Sequence, residues 1–128
     1  MDRLVMAAAL MLALPAEFAF ARCGPVPMPP PLYDHTPMGN FIDERVGHRY
    51  VDSECRRLAD FSYQPNRLES CVVIWPDGPD IRVIPNDADP GYTDCLIEHE
   101  DGHLNGWTYD HPGARYDRMV DSRSRQNE

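Results

Sequence analysis

The sequence predicts a small α+β domain stapled by disulfides, with an antiparallel β-hairpin packed beside one principal helix that carries the candidate site. Three observations carry this expectation. Four cysteines, Cys23, Cys55, Cys71 and Cys95, form an even set in a chain of 128 residues. A dense β-branched run, Cys71-Val72-Val73-Ile74-Trp75, is answered across a turn by Ile81-Arg82-Val83-Ile84. A stretch over residues 90–104 opens with a capping residue and a proline and closes on Asn105-Gly106.

In chain order, the first 21 residues read as an export signal. Arg3 supplies a weak positive start, residues 4–14 are an apolar run too short to span a bilayer, and Ala19-Phe20-Ala21 is an A-x-A cleavage site. Arg22 precedes Cys23, where lipid attachment needs a small residue, so the expectation is an exported, unanchored protein, periplasmic or extracellular, with no transmembrane span after cleavage near Ala21. The alternative reading of this segment is a buried N-terminal helix. The whole chain has a formal charge of −9, and cleavage, which removes Asp2, Arg3 and Glu17, leaves −8. Such acidity argues against nucleic acid as a partner. An exported domain of about a hundred residues has room for one small core, and two disulfides would compensate by restricting the unfolded chain. Three pairings are possible. Cys55 with Cys71 is preferred because it closes a short loop, and Cys23 with Cys95 because it ties down the segment that follows.

That segment, residues 22–40, is an arm. Six prolines between Cys23 and Pro37 leave it unable to hold a helix or to donate to a central strand, so it is expected to run extended over the surface. Phe41, Ile42, Val46, Tyr50 and Val51 give apolar contacts without a clean period, and Asp52-Ser53 is expected to cap a short helix reaching Phe61, with Cys55, Leu58 and Ala59 on one side. Pro76-Asp77-Gly78-Pro79-Asp80 is the hairpin turn between the two strands. Asp89-Pro90 then starts the principal helix, which at 1.5 Å per residue would be about 22 Å long, and Gly106 is expected to end it in a left-handed conformation. The domain is expected to close near residue 120, with residues 121–128 a polar, disordered tail.

The helix carries His99-Glu100-Asp101-Gly102-His103, the pattern H-E-x-x-H. Residues four apart share a helix face, so two imidazoles can grip one ion while the glutamate leans over it, the arrangement of a zinc hydrolase. A third ligand is needed from the loop that returns after Gly106. His111 is the first choice, Asp110 the second, and Tyr109 the third because a phenol is a poorer zinc ligand than imidazole. Glu100 would be the general base, and Tyr109, Arg115 or Tyr116 would help to stabilise a developing oxyanion. Cys95 lies four residues before His99 on the same face and is a conceivable thiolate ligand, but in an oxidising compartment a disulfide is the stronger expectation.

The residues from Cys95 to Arg115 resemble the zincin type of metallopeptidase, and His103-x-x-Gly106-x(4)-His111 is similar to the extended zinc motif of the metzincins, H-E-x-x-H-x-x-G-x-x-H. More closely, His99-Glu100-x-x-His103-x-Asn105-Gly106-Trp107-x-x-Asp110-His111-Pro112-Gly113-Ala114-Arg115 resembles small exported proteins of bacteria and their phages or plasmids. The resemblance covers about 20 residues. It implies Zn2+ on His99 and His103, Glu100 as general base, a peptide or protein substrate, and a strand edge beside the helix, for which the hairpin is the candidate. The third histidine comes two residues later than in metzincins, and no later segment is long enough for a methionine-containing turn, with Met119 close behind. The position after the glutamate, normally apolar, is Asp101, between Ile97 and Leu104 on the face that packs. An unpaired carboxylate there would be costly, so Asp101 needs a partner such as an arginine, or the helix packs loosely. Three functional classes follow: a zinc-dependent metallopeptidase of the cell envelope or exterior, a non-catalytic metal-binding or interaction protein, and a disulfide-stabilised module in which the motif is incidental.

Overall fold

The structure, a computed structural model, describes residues 23–116. The segment read as an export signal, Met119 and the residues expected to form a polar tail lie outside the described residues. The elements run β1 (Phe41–Val46), α1 (His48–Leu58), β2 (Cys71–Val73), β3 (Asp80–Pro85) and α2 (Pro90–Leu104). The fold is α+β, with a three-stranded mixed sheet in the order β1-β3-β2.

β2 and β3 form the expected antiparallel pair, with Cys71 opposite Val83 and Val73 opposite Ile81. The ladder is shorter than the apolar run: Ile74 and Trp75 leave it and are exposed. β1 pairs in parallel along β3, from Phe41 opposite Asp80 to Val46 opposite Pro85. This strand was not expected. Its centre is Asp43-Glu44-Arg45, a charged stretch that suits an edge strand guarding its free side, and such residues hide the period on which strand recognition rests. Pro85 is tolerated because it closes the ladder, and the following Asn86 amide donates to the Val46 carbonyl instead.

α1 starts four residues before Asp52 and stops at Leu58, short of Phe61. The capping acceptor comes from far along the chain: Asp87 Oδ1 accepts from the His48 amide at 2.7 Å. Asp52 serves elsewhere, accepting from the Leu68 amide and from Arg56. The two helices cover opposite faces of the sheet, as alternation along β3 dictates. Val83, with Val73 and Cys71 of β2, packs against Val51 and Cys55 of α1 and against Phe61. Ile84 faces the other way, onto Leu96 and Cys95 of α2.

Each face carries one disulfide, Cys55–Cys71 on the α1 side and Cys23–Cys95 on the α2 side, which is the preferred pairing. Cys95 is thus a structural half-cystine and not a thiolate ligand. The proline-rich arm is less peripheral than its composition predicts. Cys23, Val26 and Met28 are buried against Ile84 and Leu96, and Met28 forms a bridge with Arg115. Prolines prevent regular pairing but not burial, and the disulfide holds this stretch in the core. No helix of the described residues is long and apolar enough to cross a membrane.

Candidate metal centre

α2 has the bounds its sequence predicts. Asp89 Oδ2 accepts from the Tyr92 amide at 3.1 Å, and Pro90 occupies the first turn. At the other end the Trp107 amide donates to the Gly102 carbonyl and the Gly106 amide to the His103 carbonyl, with Gly106 at φ +104°. This pair of bonds is a Schellman cap, which needs a left-handed residue where only glycine is unstrained. The cap turns the chain back so that the buried Trp107 ring stacks on His103, with centroids 5.0 Å apart. Trp107 Nε1 then donates to the Pro112 carbonyl at 2.9 Å, closing a tight loop over the helix end.

That loop carries His111 in the left-handed region at φ +56°. A β-carbon makes this conformation cost of order 1–3 kcal/mol, a strain typical of functional positions. It aims the ring inward: His111 Nε2 lies 3.1 Å from His103 Nε2, which lies 3.2 Å from His99 Nε2. Candidate ligand atoms of the three residues all fall within 4.8 Å of one another, and together they can hold a metal ion.

The hydrogen bonds at the far side of the rings decide what these nitrogens present. His99 Nδ1 contacts the Pro27 carbonyl, and His103 Nδ1 contacts the Trp107 carbonyl at 2.7 Å. A carbonyl only accepts, so each Nδ1 carries its proton and each Nε2 of the neutral ring presents a lone pair. Burial holds all three imidazoles below the usual histidine value, His103 to about 4, so the neutral form prevails near pH 7. Neutral rings with Nδ1 donating to carbonyls have no proton to place between His99 Nε2 and His103 Nε2. Two lone pairs facing at 3.2 Å fit a cation between them. Nitrogens bound about 2.0–2.1 Å from a tetrahedral ion lie about 3.3 Å apart, close to both spacings. The donor set therefore fits a metal ion, with His99 and His103 oriented by carbonyls as metal-binding histidines commonly are.

Glu100 lies beside this cluster. It is buried, its Oε1 accepts from Ser70 Oγ at 2.7 Å and lies 3.8 Å from His99 Nε2, and its Oε2 is buried with no hydrogen-bond partner among the described residues. Burial pushes its pKa up to about 8, against the opposing pull of Ser70 and Arg82. A cavity of about 60 Å³ joins the three histidines to Glu100, Tyr63 and Tyr109.

The remaining candidates separate. Tyr109 is at the cavity, its hydroxyl donating to the Val72 carbonyl at 2.8 Å and its ring 4.9 Å from His103. Asp110 is exposed, accepts from Thr108 Oγ1, and is not among the clustered donors. Arg115 points away: its guanidinium binds the Pro29 carbonyl and the Asp34 carboxylate, so it fastens the arm and does not face an oxyanion. Tyr116 is exposed and does not line the cavity. Asp101 has its partner, since Arg82 Nη1 donates to it from the middle of β3, and Arg82 itself is stacked over the Phe41 ring. Five contributors escaped the sequence reading, four of them set by the long-range fold. Ser70, Gln64 and Tyr63 belong to the connection before β2, and the Pro27 carbonyl comes from the arm; all depend on long-range folding that no local pattern shows. Trp107, directly after the predicted helix stop, is the one that the Schellman pattern signals, because the residue after the glycine packs back on the last turn.

Comparison with protein-family models, with curated proteins and with solved structures finds no match for this chain.

Proposed function

We propose that this protein is a zinc-dependent metallopeptidase acting on a peptide or protein substrate outside the cytoplasm. One observation carries the reading: three imidazoles converge to within 4.8 Å of one another, two of them presenting Nε2 lone pairs, beside the buried carboxyl of Glu100, whose Oε1 stands 3.8 Å from His99 Nε2. A structural role alone gives no reason to bury Glu100 there, because its desolvation works against stability.

His99, His103 and His111 would hold the ion, and three nitrogen donors with the fourth position open suit zinc in catalytic sites. When bound, zinc supplies Lewis acidity and brings the pKa of water down toward about 7. Glu100 performs the proton transfers. Burial favours the protonated acid in the metal-free site; the charge of a bound cation would favour the carboxylate, which, with Oε1 fixed by Ser70, accepts the proton of a water that forms the new C–O bond to the substrate carbonyl. As the C–N bond breaks, Glu100 returns that proton to the leaving amine. Tyr109 stands at the cavity to donate to the carbonyl oxygen once its bond to Val72 is exchanged for the substrate. Trp107 and the two carbonyls hold the imidazoles in place through these steps. The two disulfides fit an oxidising, exported setting.

The small cavity and the burial of His103 favour a second reading, a metal ion that only braces the loop to the helix. Glu100→Gln separates the two. The variant should retain its metal while hydrolysis of a fluorescently quenched peptide library falls by about a hundredfold or more. Full metal with undiminished hydrolysis rejects Glu100 as the base, and a metal-loaded wild type that cleaves no peptide leaves the bracing site as the function.

A further inference from the structure

On the α1 side of the molecule, Arg49, Arg56 and Arg67 surround a concave groove of about 650 Å³ in which Asp52 is the one carboxylate lining the wall. This is a local excess of positive charge in a chain of formal charge −9. The three arginines are not equivalent. Arg56 is fully engaged, donating to Asp52 and to the Phe61, Gln64 and Asn66 carbonyls, so it shapes the groove instead of offering donors to it. Arg67 spends one N–H on the His48 carbonyl, and Arg49 lies over the Tyr50 ring, 5.0 Å from its centroid, with no hydrogen bond among the described residues.

The contrast with the rest of the chain is informative. Of the seven arginines among the described residues, Arg45, Arg56, Arg57, Arg82 and Arg115 each have a carboxylate in ion-pair contact. Arg49 and Arg67 have none among the described residues, although acids outnumber bases 21 to 12 over the chain. Both of these guanidiniums line the same groove, where Asp52 is close enough to feel the charge of Arg67 without pairing with it. The groove also adjoins the histidine cavity: Gln64 lines both, and the segment bearing it is pinned by the three carbonyl bonds from Arg56.

From this placement we propose that Arg49 and Arg67 form a carboxylate-binding subsite, so that the peptides this protein engages carry an acidic side chain beside the bond presented to the histidine cavity. The part about the bond rests on the metallopeptidase reading; the binding of acidic peptide does not. A guanidinium fork matches a carboxylate in two-point geometry, and two forks across a concave surface select an acidic side chain over an amide of the same shape. Nucleic acid offers anionic groups too, but its continuous charge would meet the acidic remainder of the surface.

The test uses the signal-free, disulfide-bonded chain and two end-blocked probes, tetraglutamate and tetraglutamine, titrated at low ionic strength with binding followed by backbone amide shifts. Tetraglutamate should bind at least about tenfold more tightly, shift amides around Arg49 and Arg67, and weaken with added salt. Arg49→Gln, which breaks no internal hydrogen bond, should remove most of that preference; Arg49→Gln with Arg67→Gln should abolish it; Arg45→Gln, outside the groove, should leave it intact. Equal binding of the two probes, or an unchanged preference in Arg49→Gln, overturns the subsite. Tighter binding of a short oligothymidylate than of tetraglutamate overturns the peptide assignment. Selective tetraglutamate binding by a protein that hydrolyses no peptide would keep the subsite and reject only the metallopeptidase reading.

Discussion

Replacing Gly102 by alanine sets two physical effects against each other, and the structure decides between them. Inside α2 an alanine is worth about 1 kcal/mol more than glycine in helix propensity, so a local account predicts a stabilised protein. The added β-carbon, however, would stand 2.7 Å from Pro29 Cβ, 3.0 Å from Pro29 Cγ and 3.0 Å from Trp107 Cε3. The first distance is closer than real β-carbons tolerate, and neither neighbour is a flexible chain end. Pro29 is a rigid ring whose carbonyl is held by Arg115, and Trp107 is buried and tethered to Pro112. Overpacking of this kind costs about 1–3 kcal/mol, which outweighs the propensity gain by up to about 2 kcal/mol. The strain has only two outlets, and both lead to the site. Moving Pro29 drags the neighbouring Pro27 carbonyl from His99, and moving Trp107 removes the ring and the carbonyl that position His103. Loss of such orienting groups weakens metal binding by about 10–100-fold. Urea unfolding with and without chelator, and zinc competition against a chromophoric chelator, measure the two effects. A Gly102→Ala protein more stable than wild type and with unchanged zinc affinity would refute the reasoning.

Further outcomes follow from the same contacts. Arg82→Met leaves Asp101 partly buried and unpaired and should destabilise the fold by about 2–4 kcal/mol, reduced from the fully buried case because Asp101 retains 19% of its side-chain exposure; Arg82→Met with Asp101→Leu should recover most of the loss in thermal unfolding. Removing the Cys23–Cys95 disulfide, which spans 72 residues, should cost about 4 kcal/mol by the chain-entropy relation and should weaken zinc binding as the arm releases His99; loss of Cys55–Cys71, spanning 16, should cost about 3 kcal/mol. The Leu68 amide, together with Arg56, holds the Asp52 carboxyl below its usual value of 3.8. A lowered pKa in the folded state contributes stability above the unfolded pKa and loses it as pH falls through the folded one. The melting difference between wild type and Asp52→Asn should therefore be present at about pH 7 and fade below about pH 4.

How much of this was legible depended on whether the determinants were local. α2 was readable at both ends because its cap, Asp89, and its stop, Gly106, act within one turn of the residues they serve. The β2–β3 pair was readable for a similar reason, as one turn joins two apolar runs. α1 was misplaced because its capping carboxylate, Asp87, lies 39 residues away, while the nearer Asp52 is drawn to Leu68. β1 was missed because a parallel edge strand with a charged centre has neither a turn partner nor an apolar period. At the site, the spacing of His99 and His103 foretold one shared face. The inward turn of His111 rests on a left-handed residue in a loop tied by Trp107, Tyr109 and Arg115, which spacing alone does not reveal. Arg115 was assigned to chemistry on its charge, and only the fold shows that charge committed to Asp34 and the arm. Asp101 looked like a defect in sequence because its partner, Arg82, comes from a strand outside the motif.

The convergence of three imidazoles on one cation is tested most directly by metal content. Protein prepared in an oxidising compartment, exposed to zinc and freed of excess should hold one equivalent per chain, and His99→Ala, His103→Ala and His111→Ala should each fall well below it while keeping both disulfides. A full equivalent retained by folded His103→Ala or His111→Ala, or none taken up by wild type, would contradict the account.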